Sequence, residues 1–175
     1  KIGYHIEVIL LIKLEIKVRN KVYYLNMEHF MEKKLRKFLL VFIYVFWTTF
    51  ASAETHEILM VNKDENGNRN AFVPEVIQIS AGDTVKWLSK DRGHNVEMIS
   101  SPNKVKFKSK VGKDASMVFE KPGVYYYWCT PHKGMGMIGL VVVDGDLSNI
   151  QDIEKAKALG KSKKKLKSLL KSLKG

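Results

Sequence analysis

The chain has 175 residues, a formal net charge of +12 at pH 7 and 45% apolar residues, a composition typical of a globular protein. It contains one cysteine, which excludes an internal disulfide. Its first third differs in character from the remainder.

Residues 31–53 have the order of parts found in a secretory signal peptide. A basic run starts at Met31, an uncharged apolar run covers 38–50, and the small residues "ASA" follow at 51–53. The apolar run is too short to span a bilayer comfortably. We therefore predict a cleaved signal peptide and a periplasmic protein, with a buried helix or an uncleaved membrane anchor as the alternatives.

Residues 1–30 precede two plausible translation starts, Met27 and Met31. A signal peptide acts from the N-terminus, so we predict that 1–30 are non-native upstream translation and exclude them from the fold. The alternative is an additional strand in "IKLEIKV" (12–18), where apolar and charged residues alternate.

Residues 54–146 consist of short apolar runs separated by turn residues, which indicates strands. Their spacing of about ten residues predicts one antiparallel β-sandwich or barrel domain. The runs are 57–62, 75–79, 84–88, 95–99, 116–119, 124–129 and 137–143.

Residues 147–175 change to a helical pattern. Ser148 and Asn149 lie near a predicted helix start and Gly160 at its end, and 161–175 place leucines on one side and lysines on the other. We predict a mainly β fold with two short C-terminal helices packed on the sandwich. The alternative is a basic amphipathic segment that binds a membrane surface or nucleic acid.

The segment "YYWCTPHKGMGMIG" (126–139) combines several side chains that bind soft metals. Cys129 ends a predicted strand, His132 lies in the following loop, and the methionines Met135 and Met137 come next. His94 lies in a turn before another strand. Two imidazoles, one thiolate and a thioether are the donors of a blue-copper electron-transfer site. We therefore predict a copper centre at one end of the sandwich.

Other sites fit these residues less well. Structural zinc sites use several cysteines, haem attachment needs Cys-x-x-Cys-His, and a Cys/His hydrolase would leave His94 and the methionines without a role. Each residue alone has an ordinary interpretation: a buried cysteine, a turn histidine, core methionines. Their joint occurrence in an exported chain without a second cysteine favours the metal. We interpret His56 as a strand-surface residue.

The stretches "GDTVKW", "GHNVE", "FKSK", "PGVYYYWCTPH" and "GMGMIG" resemble those of the pseudoazurins, small blue-copper proteins of the cupredoxin family. The resemblance covers nearly all of 54–175 and implies a Greek-key sandwich holding one type 1 copper ion. It implies His94, Cys129, His132 and Met137 as ligands. It implies supporting roles for Asn95, which joins the two ligand loops, for Thr130 and Pro131, and for backbone N–H groups beyond Cys129 that hydrogen-bond to its sulfur.

The resemblance also implies electron transfer through His132 to acidic redox partners, such as copper or haem nitrite reductases, with cytochrome c-like donors. It implies an apolar patch ringed by basic residues. The candidate docking residues are Lys90, Arg92, Lys106, Lys108, Lys110, Lys133 and Met135, with Lys104 as a further candidate.

Two features differ from the expected pattern or leave a choice open. Lys133 stands where relatives carry an aromatic residue, which predicts a smaller apolar patch. Alternation in "VYYYWC" points Tyr125 and Tyr127 toward Cys129 and turns Trp128 outward. Trp128 is then either a second electron-exit surface or buried under the C-terminal helices.

The sequence therefore predicts a periplasmic electron carrier, with a copper storage or delivery protein on the same fold as the alternative. We expect no catalysis, no nucleic-acid partner, no stable membrane insertion after signal removal, and a monomer. Residues 54–175 contain 21 Lys and Arg against 14 Asp and Glu, which favours acidic partners.

Overall fold

The computed structural model describes Lys17, Arg19, Lys21, residues 30–38 and residues 52–175. The chain divides into two units, Lys1–Ala51 and Ser52–Gly175. In the first unit the described residues are helical, Lys17 of the alternative strand included. The apolar run of the predicted signal peptide lies outside the described residues except for Phe38. Among the helices that the structure describes, none has the length and apolar character needed to cross a membrane.

The second unit contains eight strands in two four-stranded sheets. The first sheet has the order β2-β1-β4-β6 and the second the order β3-β8-β7-β5. The strands are β1 (Thr55–Lys63), β2 (Arg69–Val73), β3 (Val76–Ile79), β4 (Thr84–Ser89), β5 (Glu97–Ser100), β6 (Ala115–Val118), β7 (Gly123–Trp128) and β8 (Ile138–Val143).

The predicted two-sheet sandwich is confirmed, but its sheets are mixed rather than purely antiparallel. Strands β1 and β4 pair in parallel, as do β3 and β8. Each parallel pair joins strands that are separated along the chain by strands of both sheets. Alternating polarity specifies which face of a strand is buried and carries no information on the direction of its neighbour. The expectation of purely antiparallel pairing was therefore wrong.

Strand β2 was not among the predicted strands. It pairs antiparallel with β1, from Lys63 opposite Arg69 to Leu59 opposite Val73. It follows the polar turn "ENGN" and is followed by Pro74, and Asn70 within it has a positive φ of 52°. A short strand with turn-forming residues at both ends has little β signal of its own.

Strands β7 and β8 are buried along their whole length. One face of β7 packs between the sheets, where Tyr125, Tyr127 and Cys129 join the main core. The other face, with Tyr126 and Trp128, packs beneath the C-terminal helices. Burial on both faces explains why these two strands are continuous apolar runs in the sequence. Trp128 is only 5% exposed, so the buried interpretation of this residue is correct.

Two helices follow the sandwich, as predicted. We name Ile150–Lys155 the short helix and Ser162–Leu173 the basic helix. The short helix ends before the predicted stop at Gly160, because Ala156 adopts an extended conformation. Leu166 and Leu170, each 3% exposed, anchor the basic helix on the second sheet.

Candidate metal centre

Three donor side chains lie together at one end of the sandwich. The ligand atoms of His94, Cys129 and His132 are all within 4.8 Å of one another. The two Nδ1 atoms are 3.2 Å apart, and Cys129 Sγ lies 3.8 Å from that of His94 and 3.4 Å from that of His132. His94 and Cys129 are buried, whereas His132 is half-buried. His132 is therefore the donor of the cluster that is most accessible to solvent.

The pairing of β5 with β7 positions these residues. Glu97 at the start of β5 lies opposite Trp128 at the end of β7, so His94 approaches Cys129 across the sheet. His132 lies in the loop from β7 to β8, which closes where the Cys129 N–H donates to the carbonyl of Met137 at 3.0 Å. Residues far apart in sequence thus meet where two neighbouring strands end.

The orientation of the His94 ring is set by a residue that the sequence did not single out. Nε2 of His94 lies 3.0 Å from Oδ1 of Asn62, next to the end of β1. An amide oxygen only accepts hydrogen bonds, so Nε2 carries the proton and Nδ1 keeps its lone pair. That lone pair faces Cys129 and His132, as a metal ligand requires.

The donors are neutral before a metal binds. Burial lowers the pKa of His94, and repulsion between the two imidazoles when both are protonated lowers it further. Burial also lowers the pKa of His132. For the Cys129 thiol, burial raises the pKa, and the nearby backbone N–H groups of Asn95 and His132 oppose this effect. A metal entering this site therefore displaces the thiol proton.

The two methionines of the loop have different environments. Met137 is fully buried in the core cluster that contains Cys129. Met135 is 57% exposed, and its Sδ lies 3.5 Å from the side-chain amide of Asn70. Burial beside the cysteine favours Met137 as the thioether donor, because a weak axial ligand must be held by packing.

Asn95 joins the two ligand-bearing loops. Its Oδ1 accepts a hydrogen bond from the Thr130 N–H at 2.8 Å, and its Nδ2 donates to Thr130 Oγ1 at 3.1 Å. Nδ2 also lies 3.2 Å from the carbonyl of Ser109. Pro131, between Thr130 and His132, is exposed. The buried Asn95 amide thus fixes the loop on the side preceding His132.

Glu97 forms a second link around the cysteine that sequence reasoning missed. Its Oε2 accepts hydrogen bonds from Trp128 Nε1 and Thr130 Oγ1, and its Oε1 lies 3.3 Å from Lys108 Nζ. The available signal was its place in "GHNVE", three residues after His94. Its partners become visible only from the register of β5 with β7.

The predicted docking residues lie on segments that reach the cluster. Lys133 and Met135 belong to the ligand loop, Lys90 and Arg92 precede His94, and the lysines from 106 to 110 border β5. All are exposed except Lys133, which is half-buried with its Nζ 5.5 Å from the centre of the Trp128 ring. Lys108 is already paired with Glu97, which leaves less of its charge for a partner.

The cluster fits a copper ion. Nitrogen and sulfur donors bound to one metal at about 2.0–2.3 Å stand roughly 3 to 4 Å apart, the range found between these donor atoms. A thiolate with two imidazoles and a nearby thioether is the donor set of a blue-copper site. Oxygen-preferring ions such as Mg²⁺ and Ca²⁺ do not suit these donors.

The chain matches the family model described as "Copper binding proteins, plastocyanin/azurin family" over residues 59–144. Pseudoazurin of Paracoccus pantotrophus is 38% identical over 117 residues, which cover 65% of this chain and 80% of that protein. A pseudoazurin structure from Sinorhizobium has a TM-score of 0.64 at 38% identity, covering 67% of this chain and 94% of that one. Native pseudoazurin from Hyphomicrobium denitrificans has a TM-score of 0.62 at 36% identity, with coverages of 67% and 97%.

The two-sheet fold and its donor set define a small blue-copper protein with the cupredoxin fold. Within that class, the chain belongs to the pseudoazurin family. Its cofactor is copper, and its general role is that of a blue-copper electron-transfer protein.

Proposed function

We propose that the copper is held by His94, Cys129, His132 and Met137, and that the protein carries single electrons in the periplasm. Copper in such a site supplies a one-electron couple between Cu(I) and Cu(II). The chain's own residues bury the donors, orient the imidazoles and hold the ligand loop in place. The signal-like order of residues 31–53 supports export.

One observation carries this proposal: the surrounding protein holds the donor atoms of His94, Cys129 and His132 within 4.8 Å of one another. His94 is oriented by Asn62, and the backbone around Cys129 is held by Asn95. A site that is held in shape by its surroundings need not rearrange much between two oxidation states. A site that rearranges little when copper changes oxidation state favours electron transfer over uptake and release of the ion.

The visible spectrum after addition of Cu(II) tests the ligand assignment. We expect an intense blue band that disappears in Cys129→Ser, while Ser116→Ala, an exposed serine of β6, leaves it unchanged. Reversible one-electron reduction without loss of copper supports the carrier role. No blue band in the unaltered protein would refute the assignment, and ready transfer of copper to a chelator would indicate a storage or delivery protein instead.

We further propose that the redox partner is acidic, such as a nitrite reductase. Residues 54–146 contain 12 Lys and Arg and 12 Asp and Glu, so the sandwich itself has no net charge. Residues 147–175 contain nine Lys and two acidic residues. The positive charge is therefore concentrated on residues 147–175, where the Lys161 N–H donates to the carbonyl of Gly134 in the ligand loop. This uneven charge distribution orients the anionic surface of a partner protein toward the exposed edge of His132.

The salt dependence of electron transfer tests the docking proposal. The bimolecular rate with an acidic copper nitrite reductase is expected to fall as ionic strength rises. Lys163→Gln/Lys164→Gln should lower the rate at low salt, whereas Lys121→Gln, before the distant start of β7, should change it less. A rate that does not depend on salt would contradict an acidic partner.

A further inference from the structure

The ligand loop has two carbonyl groups whose hydrogen-bond donors come from the C-terminal segment. Ser162 Oγ donates to the carbonyl of Lys133 at 2.6 Å. The N–H of Lys161 donates to the carbonyl of Gly134 at 2.9 Å. These carbonyls belong to the two residues directly after His132. The start of the basic helix therefore holds the loop at the backbone next to a proposed copper ligand.

The contact is close and requires a glycine. Gly160 has a positive φ of 52°, and a Cβ atom added there would lie 2.4 Å from the carbonyl oxygen of Gly134. Ser162 is fully buried. Any larger residue at 160 would push the two backbones apart, so the turn before the basic helix is shaped to touch the loop.

The basic helix can support the loop because it is fixed to the sheet from which the loop leaves. Leu166 and Leu170 pack in the cluster that contains Trp128 at the end of β7 and Ile138 at the start of β8. Lys165 forms an ion pair with Glu75, just before β3. The ligand loop and the helix that contacts it are thus attached to the same sheet.

His132 is consequently held on both sides along the chain. Before it, the Thr130 N–H donates to Asn95; after it, Ser162 holds Lys133. We propose that Ser162 is a positioning residue of the copper site, which keeps Nδ1 of His132 beside Sγ of Cys129 and restrains the loop when copper changes oxidation state. The proposal rests on the proposed copper ligation by His132. It gives the helical extension a role in the chemistry of the site.

Ser162→Ala tests the proposal, because it removes the hydroxyl donor and leaves the backbone contact of Lys161. We expect a protein that still forms the blue site but releases copper to a chelator about tenfold faster, with a changed reduction potential. Ser168→Ala, at an exposed position of the same helix, is the matched control. Ser162→Thr, which keeps a hydroxyl, should restore the slow release. Equal release rates and potentials in Ser162→Ala and Ser168→Ala would overturn the proposal.

A second measurement needs no copper and separates this proposal from the proposed function. The Met135 N–H donates to the carbonyl of His132 at 2.9 Å, and its hydrogen exchange can be measured in protein prepared without copper. We expect the Met135 amide to exchange its hydrogen faster in Ser162→Ala, and also in Gly160→Ala, which keeps the serine but displaces it. Unchanged exchange in both variants would show that the helix does not restrain the loop. Absence of a blue site in the unaltered protein would refute copper ligation and leave the exchange result valid.

Discussion

Trp128, the residue before Cys129, donates a hydrogen bond from its Nε1 to Glu97 Oε2 at 2.8 Å. The same oxygen accepts a hydrogen bond at 2.7 Å from Oγ1 of Thr130, the residue after Cys129. One carboxylate therefore joins the side chains of the two residues that flank the cysteine. Burial raises the pKa of Glu97, but the hydrogen bonds from Trp128, Thr130 and Lys108 outweigh it and lower the pKa overall. Glu97 is an anion at neutral pH.

Glu97→Gln is expected to raise the reduction potential of the copper by a few tens of millivolts. A nearby anion stabilises Cu(II) over Cu(I), and the effect is moderate because the carboxylate is partly exposed and paired with Lys108. Protein-film voltammetry measures the shift. Glu120→Gln, before the distant start of β7, is the control, and equal potentials in the two variants would exclude an electrostatic role for Glu97.

Asn62→Leu is expected to weaken copper binding by about tenfold. The substitution keeps the branched shape of the side chain but removes the acceptor for Nε2 of His94, so the ring loses its fixed orientation and tautomer. Competition with a chelator measures the affinity. Asn103→Leu, at an exposed position, should bind copper as the unaltered protein does. An affinity retained in Asn62→Leu would show that packing alone orients the ring.

Met137→Leu is expected to change the visible spectrum of the copper site, whereas Met135→Leu should leave it nearly unchanged. Each substitution removes one thioether group. Met137 loses it from a buried position and Met135 from an exposed position. Both should cost less than about 1.5 kcal/mol in stability, because leucine has nearly the same volume. A larger spectral change in Met135→Leu would reverse the assignment of the axial ligand.

Asp83→Asn tests the pH dependence of folding stability. The pKa of Asp83 is lowered to about 2, by hydrogen bonds from the Glu54 N–H, from His56 and from the Ser80 N–H. Because this pKa lies below the unfolded value of about 3.9, the stabilisation is complete above about pH 4 and is lost as the pH falls toward 2. The thermal unfolding midpoint of Asp83→Asn should therefore lie below that of the unaltered protein at pH 6.

Between pH 4 and pH 2 the midpoint of the unaltered protein should fall more steeply than that of Asp83→Asn, so that their difference narrows. Asp152→Asn, at an exposed position of the short helix, is the control. A difference that stays constant down to pH 2 would mean that the Asp83 carboxylate does not contribute through its charge.

Local patterns in the sequence were sufficient to predict the sandwich, the two C-terminal helices and the residues that gather at one end. Strand positions follow from apolar runs and turn residues, and the alternation of β7 correctly separates Tyr127, in the core with Cys129, from Trp128. Such patterns report which face of a segment is buried. The copper ligation itself, the signal peptide and the docking surface stay predictions that need the experiments above.

The missed features all depend on contacts between distant segments. The parallel direction of β1 with β4, the strand β2, and the partners Asn62, Glu97 and Ser162 have no local signature, because each depends on how strands pair across the sheets or on where the basic helix begins. Residue types along the chain identify the donors of the site, since soft ligands are rare and their chemistry is specific. Only the packed fold decides which neighbours orient them, because hydrogen bonds depend on distances that sequence order does not contain.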